Sequence, residues 1–263
     1  MNTGKKTKIL SFDIDMTLFD DDAGVIPESA LKAIDAVRDR CYIVLSTGRN
    51  LSLEVNQRFF DMVNPDACVH SNGTQVHIGR ERIYLHLFEK DIIKRVVEFA
   101  DAHDLCVCTL VNNIQYSTRP EKMTKLLPIL HGESRPKWGK IENIINEPVM
   151  TFGLAGDEKD AQLLREAFPE LKVKLVIGET WFDIMDPEID KAHGMGILLD
   201  HFGLTMKDVI AFGDSMNDYE LMEAAGTAVA MGNAIPEIKK IADLVTTDVD
   251  KDGVANAIKK LCY

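Results

Sequence analysis

Four short clusters carry residue types that could do chemistry together. The first is Asp13-Ile14-Asp15-Met16-Thr17, directly after the apolar run Ile9–Phe12. Two carboxylates spaced two apart at a strand end leave the strand on the same side. Placed together they repel one another and attract a proton or a hard cation. Alone, such a pair is also compatible with an acidic turn. The second cluster is Ser46-Thr47-Gly48-Arg49, where a hydroxyl and free backbone N–H groups can hold an anionic oxygen. Alone it reads equally as a glycine-containing loop before a helix. The third is Lys191, a point charge at a helix start, which in isolation reads as a surface lysine. The fourth is Gly213-Asp214-Ser215-Met216-Asn217-Asp218, after the apolar strand Val209–Phe212. A helix N-cap explains Asn217 or Asp218 but leaves Gly213-Asp214 unused.

The elements that must position these clusters follow from periodicity. A strand over Lys8–Ile14, a helix over Glu28–Asp39, a strand over Tyr42–Ser46, a helix over Leu51–Met62 and a strand over Ala67–His70 alternate as in a parallel, doubly wound sheet. Hairpins then appear: Thr74–Ile78 with Arg82–Leu87, and Leu105–Val111 with Ile114–Ser117 across Asn112-Asn113. Asp91–His103 and Lys159–Phe168 are helical, and Pro148–Leu154, Leu171–Ile177 and Trp181–Met185 are strands. Alternation resumes with the helix Asp190–His201 and runs to a final helix over Asp252–Leu261. The expected fold class is α/β: a doubly wound, mostly parallel, Rossmann-like sheet core with an inserted α+β unit. The core takes residues 1–80 and 187–263, and the insertion takes 81–186. Ligands of such sheets gather at the carboxyl ends of the strands, where all four clusters lie.

Composition bounds the partners. The 263 residues carry a formal net charge of −12, which argues against nucleic-acid binding and against anionic membrane surfaces. No apolar run approaches the roughly eighteen residues of a membrane span, and the N-terminus lacks a signal-peptide core, so a cytoplasmic protein is expected. The five cysteines include no C-x-x-C and read as buried reduced thiols. The seven histidines show no metal-ligand spacing. Gly194-x-Gly196 begins a dinucleotide fingerprint, but Leu199 stands where its third glycine belongs. Trp181 and Phe182 either line a pocket or fill the insertion's core, as aromatics ordinarily do.

Taken jointly and in this order, Asp13-x-Asp15-x-Thr17, Thr47-Gly48-Arg49, Lys191 and Gly213-Asp214-x-x-Asn217-Asp218 resemble the haloacid dehalogenase superfamily of phosphatases. The sequence is most similar to the Cof-type branch, with a large C2-type cap inserted between the second and third motifs. Asn72-Gly73 and Met231-Gly232-Asn233-Ala234 are further echoes. The resemblance implies a Mg²⁺-dependent hydrolase of small phosphate monoesters, with sugar phosphates leading by analogy. Asp13 is then the nucleophile that forms an aspartyl-phosphate, and Asp15 the general acid and base. Mg²⁺ is held by Asp13, the Asp15 main-chain carbonyl and Asp214. Thr47, Gly48, Lys191 and Asn217 hold the phosphate, and Asp218 supports Lys191 or a water on the metal. Met16 replaces the family's usual glycine and, with Arg49 and Asn72, is placed near the leaving group. A phosphomutase or phosphotransferase on the same fold is the alternative. A non-enzymatic phosphoryl-binding regulator is a more distant one, since receiver domains are shorter and have no cap. The expected partner is a small phosphorylated metabolite; the oligomeric state has no readable signature.

Overall fold

The computed structural model describes residues 6–124, 136–177 and 180–262. The chain divides into two compact units, Met1–Leu85 with Ile189–Tyr263, and His86–Glu188.

The discontinuous unit is built on an eight-stranded sheet. Its strands are β1 (Lys8–Phe12), β2 (Cys41–Ser46), β3 (Ala67–His70), β4 (Gln75–Ile78), β5 (Glu81–Leu85), β12 (Val209–Gly213), β13 (Thr227–Ala230) and β14 (Leu244–Val245). They lie in the order β14-β13-β12-β1-β2-β3-β4-β5. The six strands from β14 to β3 are parallel, and β4 and β5 add an antiparallel edge. The central strands are mainly apolar: Ile9, Leu10 and Phe12 of β1 and Val209 of β12 are buried, and the buried hydroxyls of Ser11 and Ser46 bond to each other at 2.7 Å. Such continuous apolar runs are what a sheet covered on both faces requires. Helices α1 (Glu28–Asp35), α2 (Glu54–Val63), α6 (Lys191–Phe202), α7 (Tyr219–Ala224), α8 (Pro236–Ile241) and α9 (Gly253–Cys262) complete the unit. Helix α1 packs on α9, and α6 on β3. A side chain at Gly194 of α6 would stand 2.5 Å from Val69 of β3. This glycine serves close helix–sheet packing, which accounts for the failed dinucleotide motif.

Chain order along the sheet reverses at β1: β2 and β3 lie to one side, β12 to β14 to the other. Residues Phe12 and Phe212 pair in register at the carboxyl ends of β1 and β12. The two segments that follow, with Asp13 and Asp214, therefore emerge side by side at a topological switch point.

The continuous unit carries a six-stranded sheet of β6 (Cys106–Val111), β7 (Ile114–Ser117), β8 (Lys137–Trp138), β9 (Phe152–Ala155), β10 (Lys172–Ile177) and β11 (Trp181–Met185), in the order β10-β11-β9-β6-β7-β8. All pairs are antiparallel except β7–β8. Asn112 (φ 50°) and Asn113 (φ 60°) make the two-residue turn between β6 and β7, both in the left-handed region such hairpins need. Helices α3 (Lys90–Ala102), α4 (Pro120–Thr124) and α5 (Glu158–Ala167) belong to this unit. Phe152, Leu154, Phe182 and Ile184 form its core with Ile93, Val96 and Leu164. Phe182 is thus core filling, whereas Trp181 stands on the opposite face against Cys106 and Cys108. The five thiols are free, and Cys41, Cys68, Cys106 and Cys108 are buried.

The hairpin Gln75–Leu85 falls differently from the division expected at Glu81. Its second strand pairs with β4 and extends the core sheet, so the first boundary lies at Leu85/His86. Local patterning reveals a hairpin but not which sheet edge receives it. Among the described residues, no helix is long and apolar enough to cross a membrane.

Candidate active site

The carboxyl ends of β1, β2, β3 and β12 and the start of α6 bring the four sequence clusters together. Asp13 follows β1, is buried, and donates its main-chain N–H to the Phe212 carbonyl at 3.1 Å. Lys191, first residue of α6, is fully buried, and its Nζ donates to Asp13 Oδ1 and Asp218 Oδ1, each at 2.7 Å. A buried ammonium survives only with such paired oxygens. Asp218 Oδ2 accepts the main-chain N–H groups of Asp214 (3.0 Å) and Ser215 (3.2 Å) and so shapes the turn after β12. Thr17, buried at the end of the first cluster, donates its hydroxyl to Asp214 Oδ1 at 3.0 Å.

Asp13, Asp214 and Asp218 each offer an oxygen within 4.8 Å of the others. Three carboxylates against one ammonium leave two formal negative charges in a largely buried cluster. Burial first, then the neighbouring carboxylates, push Asp13 well above the usual range despite Lys191. Burial and Asp218 push Asp214 up to about 7. Lys191 is shifted upward, since Asp13 and Asp218 outweigh the cost of burial. An all-oxygen donor set with a formal deficit of two charges fits a hard divalent cation. The sequence reading gave Asp218 only a supporting part; the structure groups it with Asp13 and Asp214. The carboxylate of Asp15 stands apart from them.

Asp15 is instead gripped by Arg49. The Arg49 Nε lies 2.9 Å from both Asp15 oxygens, and Nη2 donates to Oδ1 as well. Arg49 is held in turn by Asn56 Oδ1 at 3.3 Å, by Asp21 at 3.8 Å, and by the Phe59 ring, 5.0 Å from its guanidinium carbon. Arg49 was expected near substrate; its guanidinium is taken up by Asp15. Asn56 went unassigned in the sequence. Its signal is a polar residue in step with Phe59 and Val63 on the buried face of α2.

The second and third loops converge on the fourth. Thr47 is buried, and its Oγ1 accepts the Arg49 N–H at 3.1 Å. The Asn72 N–H donates to the Thr47 carbonyl at 3.1 Å, and Asn217 Nδ2 donates to Asn72 Oδ1 at 3.2 Å. Ser71 and Asn72 hold φ of 52° and 53°, costly for non-glycine residues; the contacts of Asn72 and the Ser71 N–H bond to the Arg49 carbonyl at 3.0 Å offset that cost. A side chain at Gly48 would meet Asn72 Oδ1 at 3.1 Å and Asn217 Nδ2 at 3.3 Å, so glycine permits this approach.

Met16, at the position where glycine is usual, holds φ 56°. Its side chain packs, half-buried, against the core cluster rather than standing free. Asn233 Nδ2 donates to the Met16 carbonyl at 2.7 Å, while Asn233 Oδ1 accepts the Val249 N–H at 2.9 Å. Asn233 had appeared only as a motif echo.

Comparison with known proteins agrees with this arrangement. Residues 10–258 match the haloacid dehalogenase-like hydrolase family. YkrA of Bacillus subtilis, provisionally named a phosphatase, is 30% identical over 259 residues, covering 97% of this chain and 98% of the relative. The 5-amino-6-(5-phospho-D-ribitylamino)uracil phosphatase YitU of Bacillus subtilis is 26% identical over 271 residues, 97% of each chain. The solved structure of BT4131, described as a HAD subclass IIB sugar phosphatase, superimposes with a TM-score of 0.86 at 24% identity, over 97% of this chain and 99% of that one, a likeness of fold. The chain belongs to the haloacid dehalogenase-like hydrolases, as a Cof-type phosphatase with an inserted α+β unit.

Proposed function

We propose that the protein hydrolyses small phosphate monoesters, sugar or polyol phosphates foremost, through an aspartyl-phosphate on Asp13. The observation that carries this reading is the buried Asp13–Lys191–Asp218 chain beside Asp214 at the switch point of the sheet. Lys191 fixes Asp13 Oδ1 at 2.7 Å, which leaves Oδ2 as the attacking oxygen. Thr47, the Gly48 main chain and Asn217 receive phosphate oxygens, with the Lys191 ammonium balancing charge beneath them. Asp15 hands a proton to the departing oxygen and then takes one from the water that cleaves the acyl phosphate. Arg49 donates to both Asp15 oxygens and so orients the carboxylate, while a remaining lone pair on an oxygen can carry the proton. Asp13, the Asp15 main-chain carbonyl and Asp214 are the residues that would hold Mg²⁺, with Asp218 behind them. When bound, the ion offsets the repulsion between anionic nucleophile and anionic phosphate.

The unit His86–Glu188 acts in this reading as a specificity cap. Its Trp181 ring lies over Gly153, where any side chain would collide with it at 2.3 Å, and its indole N–H donates to Asp183 Oδ1 at 3.3 Å. The polyol preference follows YitU, whose named substrate is a phosphorylated ribityl compound.

The test is to incubate the purified protein and Asp13→Asn with Mg²⁺ and a panel of sugar, polyol and nucleotide monophosphates. Phosphate release by the parent chain, a loss on the order of 10⁴-fold in Asp13→Asn and acid-stable labelling confined to the parent chain are expected. Isomerised sugar phosphates without free phosphate would instead establish the transferase alternative.

A further inference from the structure

The core unit holds a second pocket that shares no residue with the Asp13 centre. It lies among the segment after β2, helix α2 and the β3–β4 hairpin, with a volume of about 250 Å³. Leu51 and Phe60 give it apolar walls; Gln57, His70, His77 and Arg80 supply most of its polar lining. No carboxylate is among the described residues that line it, although the chain carries a net charge of −12.

Its two imidazoles have a defined proton order. The Leu51 N–H donates to His70 Nδ1 at 3.3 Å, so that nitrogen is bare and His70 carries its proton on Nε2. His70 Nε2 lies 2.8 Å from His77 Nδ1, with the two rings inclined by 20° and their centroids 4.8 Å apart. His77 Nδ1 must accept, which leaves the His77 proton on Nε2. Burial, then His77, pushes His70 down to about 3, and burial with Arg82 lowers His77, so both rings are neutral at pH 7. Beside them Arg80 lies with its guanidinium carbon 4.5 Å from the Phe60 ring centroid. Its Nη2 donates to Asp61 at 2.7 Å, and the side chain is 65% exposed. Imidazole, amide and guanidinium side chains therefore line the pocket beside Leu51, the guanidinium resting on Phe60 and paired with Asp61.

We propose that this pocket is a second binding site for a small carboxylate with a flat apolar body. The carboxylate accepts from His77 Nε2 and Arg80, and the body lies against Leu51 and Phe60. A charged acceptor on a guanidinium makes the stronger class of hydrogen bond, and the apolar walls reward a body that inorganic anions lack. The proposal does not depend on phosphatase chemistry, and its readout is binding alone.

The probe is sodium benzoate, titrated into full-length protein labelled with ¹⁵N at histidine, with the His70 and His77 ring resonances followed by NMR. Benzamide serves as the neutral isostere and inorganic phosphate as the anion without an apolar body. A saturable shift of His77 Nε2 with benzoate is expected, with benzamide weaker by about tenfold. Arg80→Ala, a change at an exposed side chain, should weaken benzoate by a similar factor while leaving the ligand-free His70–His77 resonances in place. Absence of a saturable shift, equal binding of benzamide, equal binding of phosphate, or undiminished affinity in Arg80→Ala would each overturn the proposal.

Discussion

Asn233 donates its side-chain amide to the main-chain carbonyl of Met16 at 2.7 Å, pinning a methionine whose φ is 56°. A non-glycine residue in the left-handed region costs about 1 kcal/mol. The loop between Asp15 and Thr17 is therefore held by a residue more than two hundred positions away. Asn233→Ala removes this bond and the one from Val249, and should destabilise the fold by about 2 kcal/mol in urea unfolding. Met16→Gly relieves the backbone but forfeits packing of the side chain on the core, so its net effect should stay within about 1 kcal/mol. Unchanged stability of Asn233→Ala would show that the loop holds itself.

Arg49 determines where the Asp15 carboxylate points, through contacts to both of its oxygens. Arg49→Ala should lower kcat by about 10- to 100-fold with a smaller change in KM, because it disorders the proton donor more than the phosphate site. Arg49→Lys keeps the charge but not the planar fork, and should recover little of the loss. Full recovery with lysine would mean that charge alone suffices, and a pure KM effect would return Arg49 to the substrate contact expected of it.

Asp214 ties the proposed metal site to protonation and stability. Burial and Asp218 raise its folded value to about 7, against about 3.8 for an ordinary aspartate. A group raised on folding contributes stability that is fully present below the unfolded value and lost as pH rises through the folded one. Chelator-treated protein should accordingly lose this contribution between about pH 4 and about pH 7. A cation must displace the proton from Asp214, so stabilisation by Mg²⁺ should be larger at about pH 8 than at about pH 6. Thermal unfolding with and without Mg²⁺ at both pH values checks this, and a pH-independent increment would remove Asp214 from the ion's ligands.

Legibility from sequence divided along a physical line. Asp13, Asp15, Thr47 and Asp214 could be read because each sits in a short motif at the end of an apolar strand. Parallel topology then places strand ends together without knowledge of side chains. Contacts between distant segments were reached only through the resemblance, which implied that Asp218 supports Lys191, as the 2.7 Å contact between them has it. Lys191 lies 178 positions from Asp13, and nothing local separates a fully buried lysine from a surface one. Element ends were also shifted by tertiary contacts. Helix α2 was expected from Leu51 and starts at Glu54, since the Leu51 N–H is drawn to His70. The helix expected to reach Asp39 ends at Asp35, and the chain turns through Arg40 into β2.

Lys191 offers the sharpest division between structure and chemistry. With no exposed surface, it separates Asp13 from Asp218 by 2.7 Å contacts to each. Lys191→Met preserves volume but leaves two buried carboxylates facing each other, and should destabilise the protein by about 3–5 kcal/mol. Lys191→Met combined with Asp218→Asn removes one of those charges. The double variant should therefore be more stable than the lysine variant alone, with a coupling of about 1–3 kcal/mol in the mutant cycle. Activity should not follow stability: the double variant still lacks the ammonium beneath the phosphate and should remain about 10³-fold slower than the parent chain. Phosphate release measured on chains shown to be folded makes the distinction. Recovery of both stability and turnover in the double variant would confine Lys191 to a structural part.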